Sequence, residues 1–406
     1  MYIRSLKIGG LRCFKSTEIH LRYPGEDGLP HLHARNVNLL LGDNGAGKST
    51  VLHAAALAAL QPIMSASAGY VPYRMIRQGS KAAVVEAAVD LHEQDRGIPP
   101  GARPQKRRFA VSIQRMGDAE FVKPSPDSDR FADMFDDRSP AFLVLGYGAT
   151  RRVEDTWTAS GHQQLTRRML RYQRVAGLFE PNVPLTPLHV WLPQLEVRNR
   201  GRHVQVVHIL NALLPEEAEF RAERVRRGDG EYLFHFRGAG VRFSALSDGY
   251  RGFVSWVADL LYHVCMGCPS GMKLAGNRGI VLVDEIDLHL HPAWQRTVIS
   301  KLAQTLPNLQ FVFSTHSPIV AGSVERENVF VMDLDRAGAA RIRQFDERLY
   351  GLDAQQVLLS SYFGLNTTRA PGFIDEMQQL SRDLAPGRSD LALEILRRFS
   401  GQRKSS

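Results

Sequence analysis

The sequence predicts an α/β fold in which a parallel core sheet is joined by an antiparallel side sheet and interrupted by an inserted helical lobe. Three observations carry this. Short, largely apolar runs of the buried-strand kind stand at Val37–Leu41, Ile280–Val283, Leu309–Phe313 and Val329–Met332, and the last three are separated by segments of helix length, the pattern of a parallel sheet. Further strand-like runs at Val84–Leu91, Phe109–Gln114 and Phe142–Leu145 suit a second, antiparallel sheet. Between about 151 and 220 the apolar spacing changes to that of helices.

Taken in order, Tyr2–Leu21 alternates well enough for one or two strands, and Val37–Leu41 is followed by a glycine loop and a helix from Lys48 to about Leu60. Val84–Leu91, Phe109–Gln114 and Phe142–Leu145 read as further strands and suit the antiparallel side sheet. Helix-like spacing occupies Leu165–Phe179 and Val206–Leu214, joined by the Pro-rich stretch Pro181–Pro193. Two helices of about thirty residues would reach only roughly 45 Å, which excludes a long coiled-coil arm. The last sixty or so residues are expected to be mainly helical, with Gly372–Leu384 and Asp390–Phe399 as candidates. The expected organisation is 1–150 and 241–345 as two parts of one head, 151–240 as the inserted lobe, and 346–406 as a C-terminal helical region.

Composition narrows the class. With 406 residues, 44% of them hydrophobic, the chain can bury a full core, so global disorder is excluded. Its 51 Lys and Arg against 42 Asp and Glu give +9, which suits nucleic acid or another anionic partner, although arginine-rich chains are often basic for other reasons. There are three cysteines, and the chain begins on a strand-like run instead of an apolar leader, so a cytoplasmic location is expected. Cys265 and Cys268 form a single CxxC without the second pair that a zinc ribbon needs. No apolar run approaches the roughly twenty residues that span a bilayer, since Val51–Met64 is broken by His53, Gln61 and Pro62.

The strongest motif is Gly42, Asp43, Asn44, Gly45, Ala46, Gly47, Lys48, Ser49, which fits GxxxxGK[ST] directly after a strand and before a helix. Gly42, Asn44, Gly45, Gly47, Lys48, Ser49 and Thr50 are therefore candidate nucleotide-binding residues. The glycines let backbone N–H groups close round phosphates, Lys48 supplies positive charge, and the Ser49 hydroxyl suits Mg²⁺. The apolar run Ile280–Val283 delivers Asp284 and Glu285 to the C-terminal edge of a buried strand, where α/β sheets bind ligands. Two adjacent carboxylates without a role would be costly to desolvate, so Asp284 is read as a second Mg²⁺ residue and Glu285 as the group that polarises water. A third strand ends in Ser314, Thr315, His316, Ser317, Pro318, and His316 at that edge can donate a hydrogen bond to a γ-phosphate.

With these in place, Leu246, Ser247, Asp248, Gly249, Tyr250, Arg251 resembles the signature motif of the ABC ATPases, ahead of the Asp284–Glu285 strand. The fold implied is an ABC-ATPase head. The resemblance implies that Ser247 and Gly249 contact the γ-phosphate held by another protomer, so that two ATP molecules are sandwiched in a homodimer. Asp287 falls in the place of the D-loop that crosses such an interface, and His289 and His291 in the same loop read as interface or structural residues. Asp284–Gln295 together with the STHSP run is similar to the ATPases of bacterial defence and DNA-maintenance systems, among them OLD-family heads and the ATPase subunit of Septu-type anti-phage systems. Leu11, Arg12, Cys13, Phe14 resembles the short N-terminal segment of RecF and SMC relatives, and Tyr147, Gly148, Ala149, Thr150, Arg151 also fits the group. Gln78, Gln163 and Gln164 are the candidates for its Q-loop glutamine.

The expected function is an Mg²⁺-dependent ATPase that closes head to head on ATP, as a dimer or a larger oligomer, and couples closure to DNA or to a separate effector such as a nuclease. The effector is expected because no nuclease motif is visible, and Arg167, Arg168, Arg171 and Arg174 offer it an exposed-looking cationic helix face. A DNA repair clamp of the RecF kind is the alternative, and a soluble subunit powering a transporter a more distant one.

Overall fold

The structure is a computed structural model that describes residues 1–26, 32–61, 63–64, 72–93, 95, 103–125, 143–151, 170–181, 183–225 and 231–382. The first part of the chain runs through β1 (Tyr2–Leu11), β2 (Phe14–His20), β3 (Val37–Gly42), α1 (Lys48–Ala59), β4 (Ala82–Leu91), β5 (Gln105–Met116), β6 (Ala119–Pro124) and β7 (Val144–Tyr147). A middle part follows, with α2 (Leu170–Gln173), α3 (Ala176–Phe179), α4 (Leu188–Arg198), α5 (Arg200–Leu213), β8 (Ala218–Arg224), β9 (Tyr232–Phe236) and β10 (Ala239–Arg242). The last part holds α6 (Asp248–Gly267), β11 (Gly279–Val283), α7 (Pro292–Gln295), α8 (Val298–Thr305), β12 (Leu309–Thr315), α9 (Pro318–Ala321), β13 (Val329–Leu334), β14 (Ala340–Arg343), α10 (Ala354–Leu359) and α11 (Pro371–Arg382).

The four apolar runs pair as expected. They are the four inner strands of a six-stranded sheet in the order β14-β13-β3-β12-β11-β7, in which every pairing is parallel except that of the edge strand β14. Because side chains alternate along a strand, each run feeds two cores. Leu39, Val281, Val283, Phe311 and Phe313 enter one, and Leu40, Ile280, Leu282 and Val312 the other. Both faces are covered, which explains why these strands read as continuous instead of alternating.

The second core lies between this sheet and the antiparallel sheet β2-β1-β4-β5-β6, and α1 runs through it. Of α1, only Ser49 is not buried, and its alanines (Ala54, Ala55, Ala56, Ala58, Ala59) let two sheets approach one helix. Buried amides stitch the layers. Gln310 of β12 accepts from Ile3 N–H (2.8 Å) and donates to Ile3 O (2.7 Å) and Arg22 O (2.9 Å), satisfying backbone groups that would each cost about 1–3 kcal/mol if buried alone.

Several expectations are corrected. Phe142–Leu145, assigned to the side sheet, contributes instead to β7, which pairs parallel with β11 at the edge of the core sheet; its residues are all buried, as a strand covered on both faces requires. The Pro-rich stretch contains α4, which continues through Pro193 because Leu188, Trp191 and Leu192 are anchored in the core, and tertiary packing outweighs the local cost of a proline. The segment before Ser247 is not helical throughout: β8, β9 and β10 form a three-stranded antiparallel sheet. As the exclusion of a long arm implies, its helices pack on the head: Leu192, Val206 and Leu210 belong to the same apolar cluster as Phe311 and Phe313. Arg171 is 2% exposed, so it cannot serve the docking face expected of it, and Arg167 and Arg168 lie outside the described residues. Arg171 is buried because its short helix is drawn against the head, where Arg174 O accepts from Gly146 N–H (2.8 Å). Of the two C-terminal helices expected, Gly372–Leu384 corresponds to α11, and Asp390–Phe399 lies outside the described residues. Among the described residues no helix is long and apolar enough to cross a membrane.

Candidate functional site

Parallel pairing brings the chemistry to one edge. The register pairs Val283 with Phe313 and Tyr147, Phe313 with Leu39, and Met332 with Gly42, so the residues that follow β3, β7, β11 and β12 emerge together. The loop after β3 then turns into α1 through left-handed glycines. At Gly47 (φ 106°) a Cβ would stand 2.7 Å from Cys13 Sγ and 2.8 Å from the Phe14 ring, and at Gly42 it would meet Met332 O at 2.3 Å. No side chain caps the first turn of α1, and that turn holds no acidic residue, so its N–H groups and positive dipole end are turned to the loop.

Asn44, Gly45, Gly47, Lys48, Ser49, Thr50, Asp284, Glu285 and His316 all line one pocket of about 320 Å³, together with Arg12 and Cys13. Lys48 is 6% exposed and its Nζ donates to Gly42 O (2.7 Å) and Asp43 O (2.9 Å), so the ammonium lies folded into the loop. Burial lowers its pKa, opposed by the nearby Asp284 and Glu285. A cation placed so, beside an uncapped helix terminus, suits an anion such as a phosphate. Ser49 Oγ donates to Asp284 Oδ2 at 2.7 Å, across 235 residues of sequence. A hydroxyl and a carboxylate side by side are the hard oxygen donors that Mg²⁺ prefers.

The carboxylate pair is held by groups the sequence reading did not single out. Ser314 Oγ donates to Asp284 Oδ1 and itself accepts from Glu285 N–H (2.7 Å). Glu285 has φ 49°, a left-handed backbone uncommon for a residue with a side chain, and such strain persists only where neighbours over-determine it. The neighbour here is Arg151, whose part-buried guanidinium donates to Asp284 O (2.5 Å), Glu285 O (2.8 Å) and Gly148 O (3.2 Å). Burial brings its pKa down to about 10, which still leaves it charged near neutrality. Serines and an arginine next to the motifs were visible in the sequence, but their partners are backbone groups brought close only by strand pairing.

Four predicted residues, Gly42, Asp287, Ser247 and Gly249, do not line this pocket, although Gly42 O accepts from the Lys48 ammonium that does. Asp287 accepts from Thr315 Oγ1 (2.5 Å), which fixes the loop after β11 to the end of β12. Ser247 is the N-cap residue of α6, where it is exposed and its hydroxyl makes no capping bond. Gly249 packs on the loop of Asp287, with room for no side chain, since a Cβ there would meet His289 O at 2.4 Å. His291 caps the next helix, accepting from Ala293 N–H (3.3 Å). Of the glutamines considered, Gln78 is exposed on a turn and does not line the pocket, while Gln163 and Gln164 lie outside the described residues.

This fold and site have the arrangement of a P-loop α/β head, with a parallel core sheet and an antiparallel side sheet, and the chain resembles ATPases of that class. Residues 199–321 match the family described as AAA domain, putative AbiEii toxin, Type IV TA system, and residues 5–66 match a second AAA-domain family. The chain resembles the Septu protein PtuA of Bacillus mycoides (strain KBAB4), at 25% identity over 373 residues that make up 90% of this chain and 45% of that protein. A retron Vc95 probable ATPase of Vibrio cholerae is 41% identical over 96 residues, 24% of this chain and 19% of that one. The chain thus spans less than half the length of the curated relatives just named. Among solved structures, an SMC head bound to the C-winged helix domain of ScpA superposes with a TM-score of 0.49 at 15% identity, covering 85% of this chain and 98% of that one.

Proposed function

We propose that the chain is an Mg²⁺-dependent ATPase that dimerises head to head on ATP and passes that closure to DNA or to a separate effector, in bacterial anti-phage defence. The observation that carries the ATPase reading is the Ser49–Asp284 contact of 2.7 Å beside Lys48, which unites the phosphate loop and the carboxylate strand in one pocket. In this reading the loop N–H groups and Lys48 bind and orient the triphosphate, and Ser49 with Asp284 would hold Mg²⁺. The bound ion would neutralise charge on the phosphates. Glu285, carried by the same strand, accepts the proton of the attacking water, and His316 donates to the γ-phosphate.

Dimerisation is inferred from what the pocket lacks. Ser247 and Gly249 sit at a helix N-terminus with an uncapped, exposed serine, where the acid of the first turn, Asp248, is paired with Arg251, yet neither reaches the pocket of its own chain. A second protomer facing the first would supply them. The defence setting rests on the resemblance to the Septu and retron proteins.

Ser247→Arg is therefore expected to keep ATP affinity within about threefold while hydrolysis falls by at least about a hundredfold, because the lost group acts only on the partner's nucleotide. Size-exclusion chromatography with ATP should show a monomer. Wild-type turnover in Ser247→Arg would overturn the composite site. Arg151→Met is expected to leave ATP binding largely intact but to lower turnover by about a hundredfold, since the carboxylate backbone loses its clamp and misplacement by even an ångström is costly. Steady-state hydrolysis and nucleotide titration read the two effects separately.

A further inference from the structure

Arg12 stands on the turn between β1 and β2 with φ 45°, a left-handed backbone that a bulky residue adopts only under constraint. The turn is pinned by Arg12 N–H donating to Met75 O (2.8 Å) and by Arg77 donating to Cys13 O (2.7 Å). Arg12 lines the phosphate pocket with Lys48, Ser49 and Glu285. Its Nη1 lies 3.0 Å from Nδ1 of His53, on the buried helix α1. A guanidinium only donates, so Nδ1 must be the acceptor and the imidazole proton must sit on Nε2, which donates to Leu178 O at 2.6 Å. Burial, then the Arg12 charge, push the His53 pKa down to about 4, so the ring is neutral. A carboxylate in its place would hold the guanidinium equally well but would cancel its charge.

The other end of this relay is equally constrained. Leu178 belongs to α3, whose next residue, Phe179, stacks on the His53 ring with centroids 4.8 Å apart. α3 is fitted against the end of β7, where a Cβ on Gly148 would meet Gly177 O at 2.2 Å and one on Gly146 would meet Leu178 Cδ1 at 2.5 Å. That strand leads to Arg151 and so to the carboxylate pair.

We propose that His53 is a positioning residue: it fixes the Arg12 guanidinium at the phosphate pocket without neutralising it, and anchors that arginine to α3. The inference rests on the pocket being the ATP site. It is tested by titrating the full chain with a non-hydrolysable ATP analogue. His53→Leu and Arg12→Ala are each expected to weaken binding about tenfold, the loss of one charge-assisted contact, and the double variant to be no weaker than Arg12→Ala. His53→Gln, which can both accept and donate, should recover binding to within about threefold. His53→Glu should fold, because it pairs with Arg12, yet bind the analogue about tenfold more weakly because the charge is cancelled.

Independent, multiplying losses in the double variant would overturn the proposal, as would wild-type affinity in His53→Glu or a His53→Gln no better than His53→Leu. If His53→Leu does not fold, His53→Glu and His53→Gln, each with and without Arg12→Ala, complete the same cycle. Failure of the wild-type chain to bind the analogue would instead strike the ATP reading itself, whereas normal binding with no effect at Arg12 and His53 strikes only this inference.

Discussion

Lys48→Ala is expected to abolish detectable ATP binding in a chain that still folds. The Lys48 ammonium belongs to the first residue of α1, whose N-terminus is uncapped, and among the described residues its hydrogen bonds go to the carbonyls of Gly42 and Asp43 within its own loop. Losing charge-assisted bonds to phosphate should cost at least about a hundredfold in affinity. The fold should survive, because burial already disfavours the charge there, so removing it takes away a desolvation cost together with the two bonds. Thermal melting makes the contrast sharp: ATP at a hundred times its Kd should stabilise the wild type by about 2.7 kcal/mol and the variant not at all. Unchanged affinity in a folded Lys48→Ala chain would overturn the phosphate-loop assignment. The same variant serves as the inactive control in a phage plaque assay.

Glu285→Gln is expected to bind ATP normally and hydrolyse it about 10²–10⁴ times more slowly, the usual worth of a positioned general base. Gln keeps the side-chain shape, and the backbone bonds to Ser314 and Arg151 that hold residue 285 in place do not involve the carboxylate. Asp284 remains to pair with Ser49, so nucleotide binding is separated from turnover. A complex that forms but does not hydrolyse should accumulate, and chromatography with ATP should show more dimer than the wild type gives. A variant that turns over normally would remove Glu285 from the proposed mechanism. A variant that binds and stalls without dimerising would keep the base and discard the head-to-head closure.

The core sheet was legible because a strand buried on both faces takes mostly apolar residues, and such runs stand out at Ile280–Val283 and, around the one hydrogen-bonded amide of Gln310, at Leu309–Phe313. The phosphate loop was legible for a related reason: only glycine tolerates the backbone of Gly42 and Gly47 against Met332 and Phe14, so the steric need is written as residue type. The placement of β7 was not, since its short apolar run fits either sheet and only pairing with β11 decides between them. The helix through Pro193 was hidden because local propensity argues against it and the burial of Trp191 and Leu192 argues for it. Arg171 looked solvated for the same reason, as a charged residue at helical spacing carries no sign of which face will be covered.

Sequence alone therefore determined the fold class and the residues Lys48, Ser49, Asp284, Glu285 and His316 that gather at one edge, since local sterics and a continuous apolar pattern are properties of adjacent residues. Only tertiary structure decided how they are held. The guanidinium of Arg151 on the carbonyls of Asp284 and Glu285, the Ser314 hydroxyl between them, and His53 between Arg12 and Leu178 join residues 29 to 134 positions apart, and four of these six bonds use backbone atoms common to every residue. A hydrogen bond to a carbonyl leaves no mark on the identity of the residue that carries it, so these supports become visible only when the strands are paired and the chain is closed.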